Sequence, residues 1–157
     1  MEKISGLTLI ETILYTFIVS AVIAAMLLII SGSLVNSSRL YDAISVTESK
    51  QFIEQKLDWV LAGVSVVNSP AANTTGTILS VNKINFSSNP VVIDASGATL
   101  RIKQGSGNYT ALTPPSITIS ALVFGYNSTT TGASVFVTAT LSGSQATTAI
   151  NYTKILR

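Results

Sequence analysis

The hydrophobic and polar positions divide this chain into an N-terminal apolar segment, an amphipathic segment and a region of short alternating runs. The apolar segment has no charge over nineteen residues, 12–30, and only Thr12, Thr16 and Ser20 interrupt it. As a helix rising about 1.5 Å per residue, this length crosses a hydrocarbon core of roughly 30 Å. The pattern therefore predicts a helix that can span a membrane.

Residues 34–62 keep a helical period but become amphipathic. The predicted apolar face contains Ile53, Leu57, Val60, Leu61 and Val64, with Leu40, Tyr41 and Ile44 one stretch earlier on a similar face. No proline occurs before Pro70, so one helix is predicted over about residues 8–62, roughly 80 Å long. Gly63 is the predicted stop, and residues 64–67 either extend the helix or begin a strand.

From Asn68 the composition shifts to Ser, Thr, Asn, Gly and Pro, which indicates a loop followed by strands. Runs rich in branched residues predict strands at 77–86, 91–94, 98–103, 117–126, 133–141 and 147–156. Short turns at 94–97, 127–132 and 142–144 favour hairpins, and the last three strands form a predicted meander after Pro114-Pro115. This order predicts an α+β fold: a long N-terminal helix, membrane-spanning in its first half and amphipathic in its second, packed on an antiparallel β-sheet.

Glu11 is the exception in the apolar pattern, because it is an acid that follows Leu7, Leu9 and Ile10 and precedes the uncharged run. A charge within a membrane span costs on the order of 2.5–3.5 kcal/mol, so a partner for this carboxylate is expected. Two interpretations stay open. Either Glu11 marks the water-facing start of the span, or it meets a cation from another chain.

The residues before the span offer a source for such a cation. The segment before Gly6 has only five residues, most of them polar. A small residue therefore precedes the apolar segment, whereas an ordinary secretory signal places its small-residue cleavage site after it. Cleavage between Gly6 and Leu7 would create an α-amino group with a reference pKa of about 8, four residues before Glu11. In packed helices, the amino group of one chain would then meet Glu11 of another and fix the stagger between them.

The sequence GLTLIE from Gly6 to Glu11, followed by an apolar helix, resembles the leader of bacterial type IV pilins and the related pseudopilins. The resemblance covers residues 1–30. It implies that a prepilin peptidase cuts after Gly6 and methylates the new N-terminus at Leu7, and that Glu11 guides assembly. Leu7 stands where phenylalanine is commonest in the family, and the proline often found within the span is missing, which makes Gly32 the predicted weak point of the helix.

The resemblance divides the chain into four parts: a leader peptide (1–6), a transmembrane and filament-core helix (7–33), the amphipathic half of the helix (34–66) and a β-rich globular head (67–157). It implies a single-pass precursor in the cytoplasmic membrane that later forms a cell-surface filament or a periplasmic pseudopilus. The implied partners are the prepilin peptidase, other pilin subunits, the membrane and the assembly platform proteins.

Composition argues against catalysis. The chain contains neither Cys nor His, so it lacks thiol redox chemistry, disulfides, and the commonest general base and transition-metal ligand. No cofactor is predicted, and residues 94–97 read as a hairpin turn with a single carboxylate, whereas a calcium loop needs several oxygen ligands.

Net charge is +2 without a basic cluster, so no nucleic-acid binding is predicted for the isolated subunit. Tyr41, Phe52 and Trp59 are predicted core anchors rather than a ligand platform.

Low charge requires another source of solubility, since only 10% of the residues are Asp, Glu, Lys or Arg. Hydroxyls, amides, sugars or burial in an assembly could supply it. Asn-x-Ser/Thr sequons are more numerous than the roughly two expected by chance from composition. Six asparagines begin such sequons and are candidate glycosylation sites: Asn36, Asn73, Asn85, Asn108, Asn127 and Asn151.

The main hypothesis is a structural filament subunit, and two alternatives remain beside it. One is a pseudopilin of a type II secretion or DNA-uptake machine. The other is a membrane-anchored or secreted extracytoplasmic binding domain, with a signal-peptidase site at Ser31-Gly32-Ser33, which leaves Glu11 unexplained.

Overall fold

A single long helix begins the fold. The computed structural model describes residues 8–130 and 132–156, so the proposed cleavage residues Gly6 and Leu7 lie outside the described residues. Helix α1 runs over Leu9–Leu61, 53 residues, and this confirms the helix predicted over about residues 8–62. It continues through Gly32, where the hydroxyl of Ser31 donates to the carbonyl of Leu27 at 2.8 Å.

Gly63 ends the helix as predicted. Its φ of 67° lies in the left-handed region, which glycine adopts without a Cβ clash. The first strand begins at once with Val64, which decides between the two alternatives predicted for residues 64–67 and corrects the four-part division, in which residues 64–66 belong to the amphipathic half of the helix. The physical reason is the left-handed conformation of Gly63, which ends the helix and lets the branched residues after it pair with another strand.

The rest of the described chain is built from strands. They are β1 (Val64–Ser69), β2 (Thr74–Gly76), β3 (Leu79–Lys83), β4 (Val91–Ser96), β5 (Thr99–Gln104), β6 (Thr110–Ala111), β7 (Thr118–Thr129), β8 (Gly132–Ser142) and β9 (Thr147–Leu156). All six predicted strands are present, as β3, β4, β5, β7, β8 and β9. Strand β1 realises one of the two alternatives predicted for residues 64–67, and the strands that sequence patterns missed are the very short β2 and β6.

The strands form two antiparallel sheets. One has five strands in the order β1-β3-β4-β5-β6, and the other has four in the order β2-β7-β8-β9. The predicted meander is confirmed as β7-β8-β9, whose strands pair in chain order. The predicted α+β fold is therefore confirmed, with the sheet divided in two.

The core lies between the C-terminal part of α1 and both sheets. The buried helix residues are Val46, Ile53, Leu57, Val60 and Leu61. The most deeply buried strand residues include Leu79, Val81, Val91, Ile93, Phe124, Val135 and Leu141. These positions confirm the predicted face from Ile53 to Leu61.

The earlier part of the predicted apolar face is wrong. Leu40 and Tyr41 are 63% and 73% exposed, and Ile44 is 44% exposed. Val46 occupies the buried position instead, seven residues before Ile53 on the same face. At 100° per residue, Ile44 points away from Val46, so it cannot share the packed face.

The chain separates into two compact units, one ending at Leu40 and the other beginning at Tyr41. The first contains the apolar part of α1. The second contains the remainder of α1 and all nine strands of the described chain.

Candidate assembly helix

The N-terminus of α1 is arranged around Thr8 and Glu11. Thr8 precedes the helix, and its carbonyl accepts hydrogen bonds from the backbone N–H groups of Glu11 at 3.0 Å and Thr12 at 3.2 Å. Glu11 therefore lies in the first turn, where the positive end of the helix dipole favours a carboxylate. The pair has the spacing of a capping box, a threonine followed three residues later by a glutamate.

Glu11 is half-buried although its neighbours on the helix are exposed. The hydroxyl of Tyr15, one turn later, donates to Oε1 of Glu11 at 3.4 Å, and this is a long hydrogen bond. No ion pair is formed by Glu11 within residues 8–130 and 132–156. The carboxylate thus keeps most of its capacity to accept hydrogen bonds or meet a cation.

The helix surface that follows Glu11 is apolar and uncovered. Phe17 is 71% exposed, Leu28 74% and Ile29 70%, and every residue from Thr12 to Tyr41 is exposed. The described chain contains one helix long and apolar enough to cross a membrane, and it lies near the N-terminus. An exposed apolar surface of this size is typical of helices that contact lipid or other protein chains.

The hydroxyls within this surface are satisfied inside the helix. Thr16 donates to the carbonyl of Thr12 at 2.8 Å, and Ser20 donates to the carbonyl of Thr16 at 2.7 Å. Thr12 donates to the carbonyl of Leu9 at 2.8 Å. The three polar interruptions of the apolar run therefore leave no donor that needs water, as a membrane or a dry helix bundle demands.

The second unit holds its part of α1 through a carboxylate clasp at Asp42. Its two oxygens accept backbone hydrogen bonds from the β8–β9 turn: Ser144 at 3.1 Å, Gln145 at 2.6 Å and Ala146 at 2.7 Å. Three successive N–H groups directed at one anion form a backbone nest. These bonds, that from Gln145 first, lower the pKa of the Asp42 carboxyl below its ordinary value.

A second polar contact joins α1 to β9. Oδ1 of Asp58 accepts from Nζ of Lys154 at 2.6 Å and from the hydroxyl of Tyr152 at 2.7 Å. The hydrogen bond from Lys154 is the main cause that lowers the pKa of Asp58. Burial, followed by the hydrogen bond to Asp58, raises the pKa of the Tyr152 hydroxyl.

The predicted core anchors Phe52 and Trp59 are not buried. They are 43% and 39% exposed, and Tyr41 is 73% exposed, so that prediction is wrong for all three. Phe52 and Trp59 instead line an open groove of about 300 Å³ together with Lys56, Ile102, Gln104, Thr110, Ala111 and Leu112. They flank the packed face because each lies about 100–200° around the helix from Ile53 or Leu57.

A cation lies over one of these aromatic rings. Nζ of Lys83 is 3.9 Å from the ring centroid of Trp59 and donates to the Trp59 carbonyl. The ring of Phe86 packs edge-on against Trp59, with centroids 5.8 Å apart. Partial burial of the ammonium lowers the pKa of Lys83. This arrangement fixes the helix end on the strands, while Trp59 stays 39% exposed.

The hairpin predicted at residues 94–97 is confirmed as β4–β5, but its turn lies later than predicted. Asp94 is 8% exposed within β4, and the turn of the β4–β5 hairpin falls at Gly97 instead. Arg101 contacts Asp94 with two hydrogen bonds, of 2.6 Å and 3.0 Å, and its guanidinium carbon lies 3.9 Å from the ring centroid of Tyr109. Asp94 is therefore a structural ion-pair partner. Among the described residues, no group of three or more His, Cys, Asp or Glu side chains could hold a metal ion.

All six sequon asparagines are exposed. They are Asn36 in α1, Asn73 and Asn85 with positive φ at turns, Asn108 in a loop, Asn127 in β7 and Asn151 in β9. Asn127 thus lies in a strand and not in the predicted turn. Exposure meets the first requirement for attachment of a sugar, and glycosylation itself remains a prediction.

The contacts of Asp42 were missed at the sequence level. Asp42 precedes the buried Val46 by four residues, so it shares the packed face of the helix, and a charged residue at that position indicates a specific partner. The partner turn lies more than a hundred residues later, where no periodicity could identify it. The chain matches no protein-family model, no curated protein and no solved structure.

Proposed function

We propose that this chain is a structural subunit of a helical filament of the type IV pilus class, assembled through its apolar N-terminal helix. The observation that supports this proposal most directly is a half-buried carboxylate, Glu11, at the start of a long and uncovered apolar helix. A helix that served only as an anchor would use Glu11 for capping alone, which requires no charge. A filament core would use it.

The proposed chemistry is an ion pair between subunits. Cleavage after Gly6 by a prepilin peptidase would leave a protonated amino group on Leu7, and this cation would meet Glu11 of a neighbouring chain. Because the run that follows Glu11 is uncharged over residues 12–30, a subunit inserted out of register would leave both charges unpaired in a dry environment, which is strongly unfavourable. The pair therefore specifies the axial stagger of the subunits.

Processing and localisation follow from the same proposal. The precursor would lie in the cytoplasmic membrane as a single-pass protein, and assembly platform proteins would extract it into a filament of pilin subunits. In a pseudopilus the same subunit would form a short periplasmic fibre. Extracellular filaments detected by electron microscopy of cells expressing the chain favour the pilus, and their absence with correct processing favours the pseudopilus.

The test of the proposal is the mass of the N-terminal peptide of the protein purified from its native membrane or filaments. We expect a chain that starts at Leu7 and bears one additional methyl group. A chain that starts at Met1, or shortly after Ser33, would overturn the filament proposal.

The second candidate function is a membrane-anchored binding domain. The groove beside Phe52 and Trp59 favours it, because exposed aromatic rings next to Lys56 are suited to ligand contact. Under this alternative, replacing Phe52 and Trp59 with alanine would abolish function while Glu11→Ala would not. The filament proposal predicts the opposite result: Glu11→Ala abolishes function, and replacing Phe52 and Trp59 with alanine does not.

A further inference from the structure

Strand β9 is a long open edge of the four-stranded sheet. It extends over Thr147–Leu156, ten residues, and pairs with β8 over its whole length without a register shift. Within the described residues no other strand pairs with it, since β9 is the last strand in the order of its sheet. One side of β9 is thus available to another strand.

The hydrogen-bond alternation shows which backbone groups face that open side. The N–H of Gly143 donates to the carbonyl of Ala146 at 2.8 Å, which makes the next residue pair, Ser142 and Thr147, a non-hydrogen-bonded pair. The pattern then alternates along the hairpin, so Thr148 and every second residue after it bond to β8. The backbone N–H and C=O groups directed at the open side belong to Thr147, Ala149, Asn151, Thr153 and Ile155.

These groups are accessible. The side chains of the same five residues are all exposed. Thr153 and Ile155 line an open groove of about 480 Å³ together with Leu61 at the end of α1 and Gly63 just after it. The exposure of these residues and the groove beside them leave the edge open to an extended chain.

The other sheet edges are protected, and β9 is not. Edge strand β6 has two residues and β2 has three, while β1 is interrupted by two register shifts. Short and irregular edges are the usual means by which proteins prevent edge pairing. In contrast, β9 contains no proline and no glycine, and its single charge, Lys154, is neutralised by Asp58 at 2.6 Å. An edge of this length with none of these protections is suited to pair with another strand.

We propose that β9 pairs in antiparallel orientation with β9 of a second copy of this chain, centred on Asn151. The sequence of the strand is self-complementary in this register. Ala149 faces Thr153 of the other copy, and Thr147 faces Ile155, so all five outward-directed residues donate and accept hydrogen bonds across the contact. Lys154 faces Thr148 of the other copy and not a second lysine. A register centred elsewhere on the strand pairs fewer of the outward-directed residues with each other.

This contact is separate from the proposed assembly helix. A pairing of β9 with β9 is an isologous contact that joins two heads and closes on itself, so it cannot by itself extend a filament. It requires neither cleavage after Gly6 nor the carboxylate of Glu11. A failure of the filament proposal would leave it intact, and the reverse is also true.

The absence of cysteine allows a direct test by single-cysteine cross-linking of the full chain in detergent. In a hydrogen-bonded antiparallel pair the two Cα atoms at the centre are about 5.5 Å apart, a separation that a disulfide can bridge. Asn151→Cys is expected to give a disulfide-linked dimer under mild oxidation. Ser96→Cys, on an exposed hairpin of the other sheet, is the matched control and is expected to remain monomeric. Expression in a host without N-glycosylation keeps sugars off the remaining sequons.

Two double variants in the Asn151→Cys background separate this contact from dimerisation through the apolar helix. Ala149→Lys with Thr153→Lys places like charges opposite each other twice, whereas Ala149→Lys with Thr153→Glu places opposite charges there. We expect at least a tenfold loss of cross-linked dimer in the first and retention in the second. Thr153→Pro, which removes only an N–H directed at the open edge, should also reduce the dimer while circular dichroism remains native. Absence of dimer with Asn151→Cys alone, or equal yields from the two double variants, would overturn the proposal.

Discussion

The carboxylate of Asp42 accepts a hydrogen bond of 2.6 Å from the backbone N–H of Gln145, 103 residues later in the chain. With the bonds from Ser144 and Ala146, this contact holds the β8–β9 turn against the helix. Replacing Asp42 with Ala removes all three acceptors at once. We expect a lower Tm of the full chain in detergent, measured by circular dichroism, and increased hydrogen exchange at residues 143–146.

A substitution at Gly143 should also break the contact between Asp42 and the β8–β9 turn. A Cβ at this position would lie 2.5 Å from Oδ1 of Asp42, so Gly143→Ala must displace the carboxylate from the turn. The destabilisation by Gly143→Ala should largely disappear in the Asp42→Ala background, because the two changes break one contact. Gly132→Ala, at a hairpin with open space around the added Cβ, is the matched control. Additive effects of Gly143→Ala and Asp42→Ala would contradict the clasp.

The hydrogen bonds of Asp42 and Asp58 make the stability of the fold depend on pH. Both carboxyl groups have a folded-state pKa below the ordinary value of 3.8, so the unfolded chain binds more protons in acid. Their contribution is present above that value and is lost as the pH falls through the lower folded-state pKa. Tm should therefore fall between about pH 5 and pH 2, and the gap between the wild-type chain and an Asp42→Asn/Asp58→Asn variant should close over this range. A gap that stays constant with pH would count against this account.

The helix and most strands could be predicted from the sequence because their signals are local. The period of Ile53, Leu57 and Leu61 identifies the packed face, and Gly63 alone sets the end of the helix. The predicted extension of this face to Ile44 is wrong, because a rotation of 100° per residue places Ile44 about 200° around the helix from the buried Val46.

The remaining features depend on long-range contacts. The clasp at Asp42 requires a turn that lies far along the chain, and the open edge of β9 depends on the strand order of the second sheet. For the candidate assembly site, sequence identified Glu11 and its apolar surroundings, while Gly6 and Leu7 lie outside the described residues and their processing stays a prediction.

Two isoleucines of α1 provide a matched test of which face packs. Ile53 is 1% exposed and Ile44 is 44% exposed, so the same truncation has different consequences. Ile53→Ala should lower the free energy of unfolding by about 2–5 kcal/mol, because it leaves a cavity in the core. Ile44→Ala should change it by less than about 0.5 kcal/mol. Denaturant titration of the two variants measures both values, and similar losses would mean that the packed face is assigned wrongly.

Gly125 and Phe136 face each other across β7 and β8, and the phenylalanine ring lies over the glycine. A Cβ at Gly125 would come within 2.0 Å of the ring, so Gly125→Ala should destabilise the fold by roughly 1–3 kcal/mol. In a Phe136→Ala background the added methyl group has room, and the penalty should be much smaller. A double-mutant cycle from denaturant unfolding measures this coupling. An unchanged penalty in the second background would show that the ring is not its cause.

Substitutions at Glu11 separate its two candidate roles, since both glutamate and glutamine can cap a helix but only glutamate carries a charge. If the carboxylate pairs with the amino group of a neighbouring subunit, Glu11→Gln leaves that cation without a counter-charge, at a cost of about 3–5 kcal/mol. Filament yield should then fall at least about tenfold in both Glu11→Gln and Glu11→Ala, with cleavage after Gly6 unchanged. Thr8→Ala, which alters the capping residue and keeps the charge, is the control and should assemble. Normal yield from Glu11→Gln together with loss in Thr8→Ala would instead assign Glu11 to helix capping. Filament mass in sheared preparations, compared with processed subunit in the membrane, decides between these outcomes.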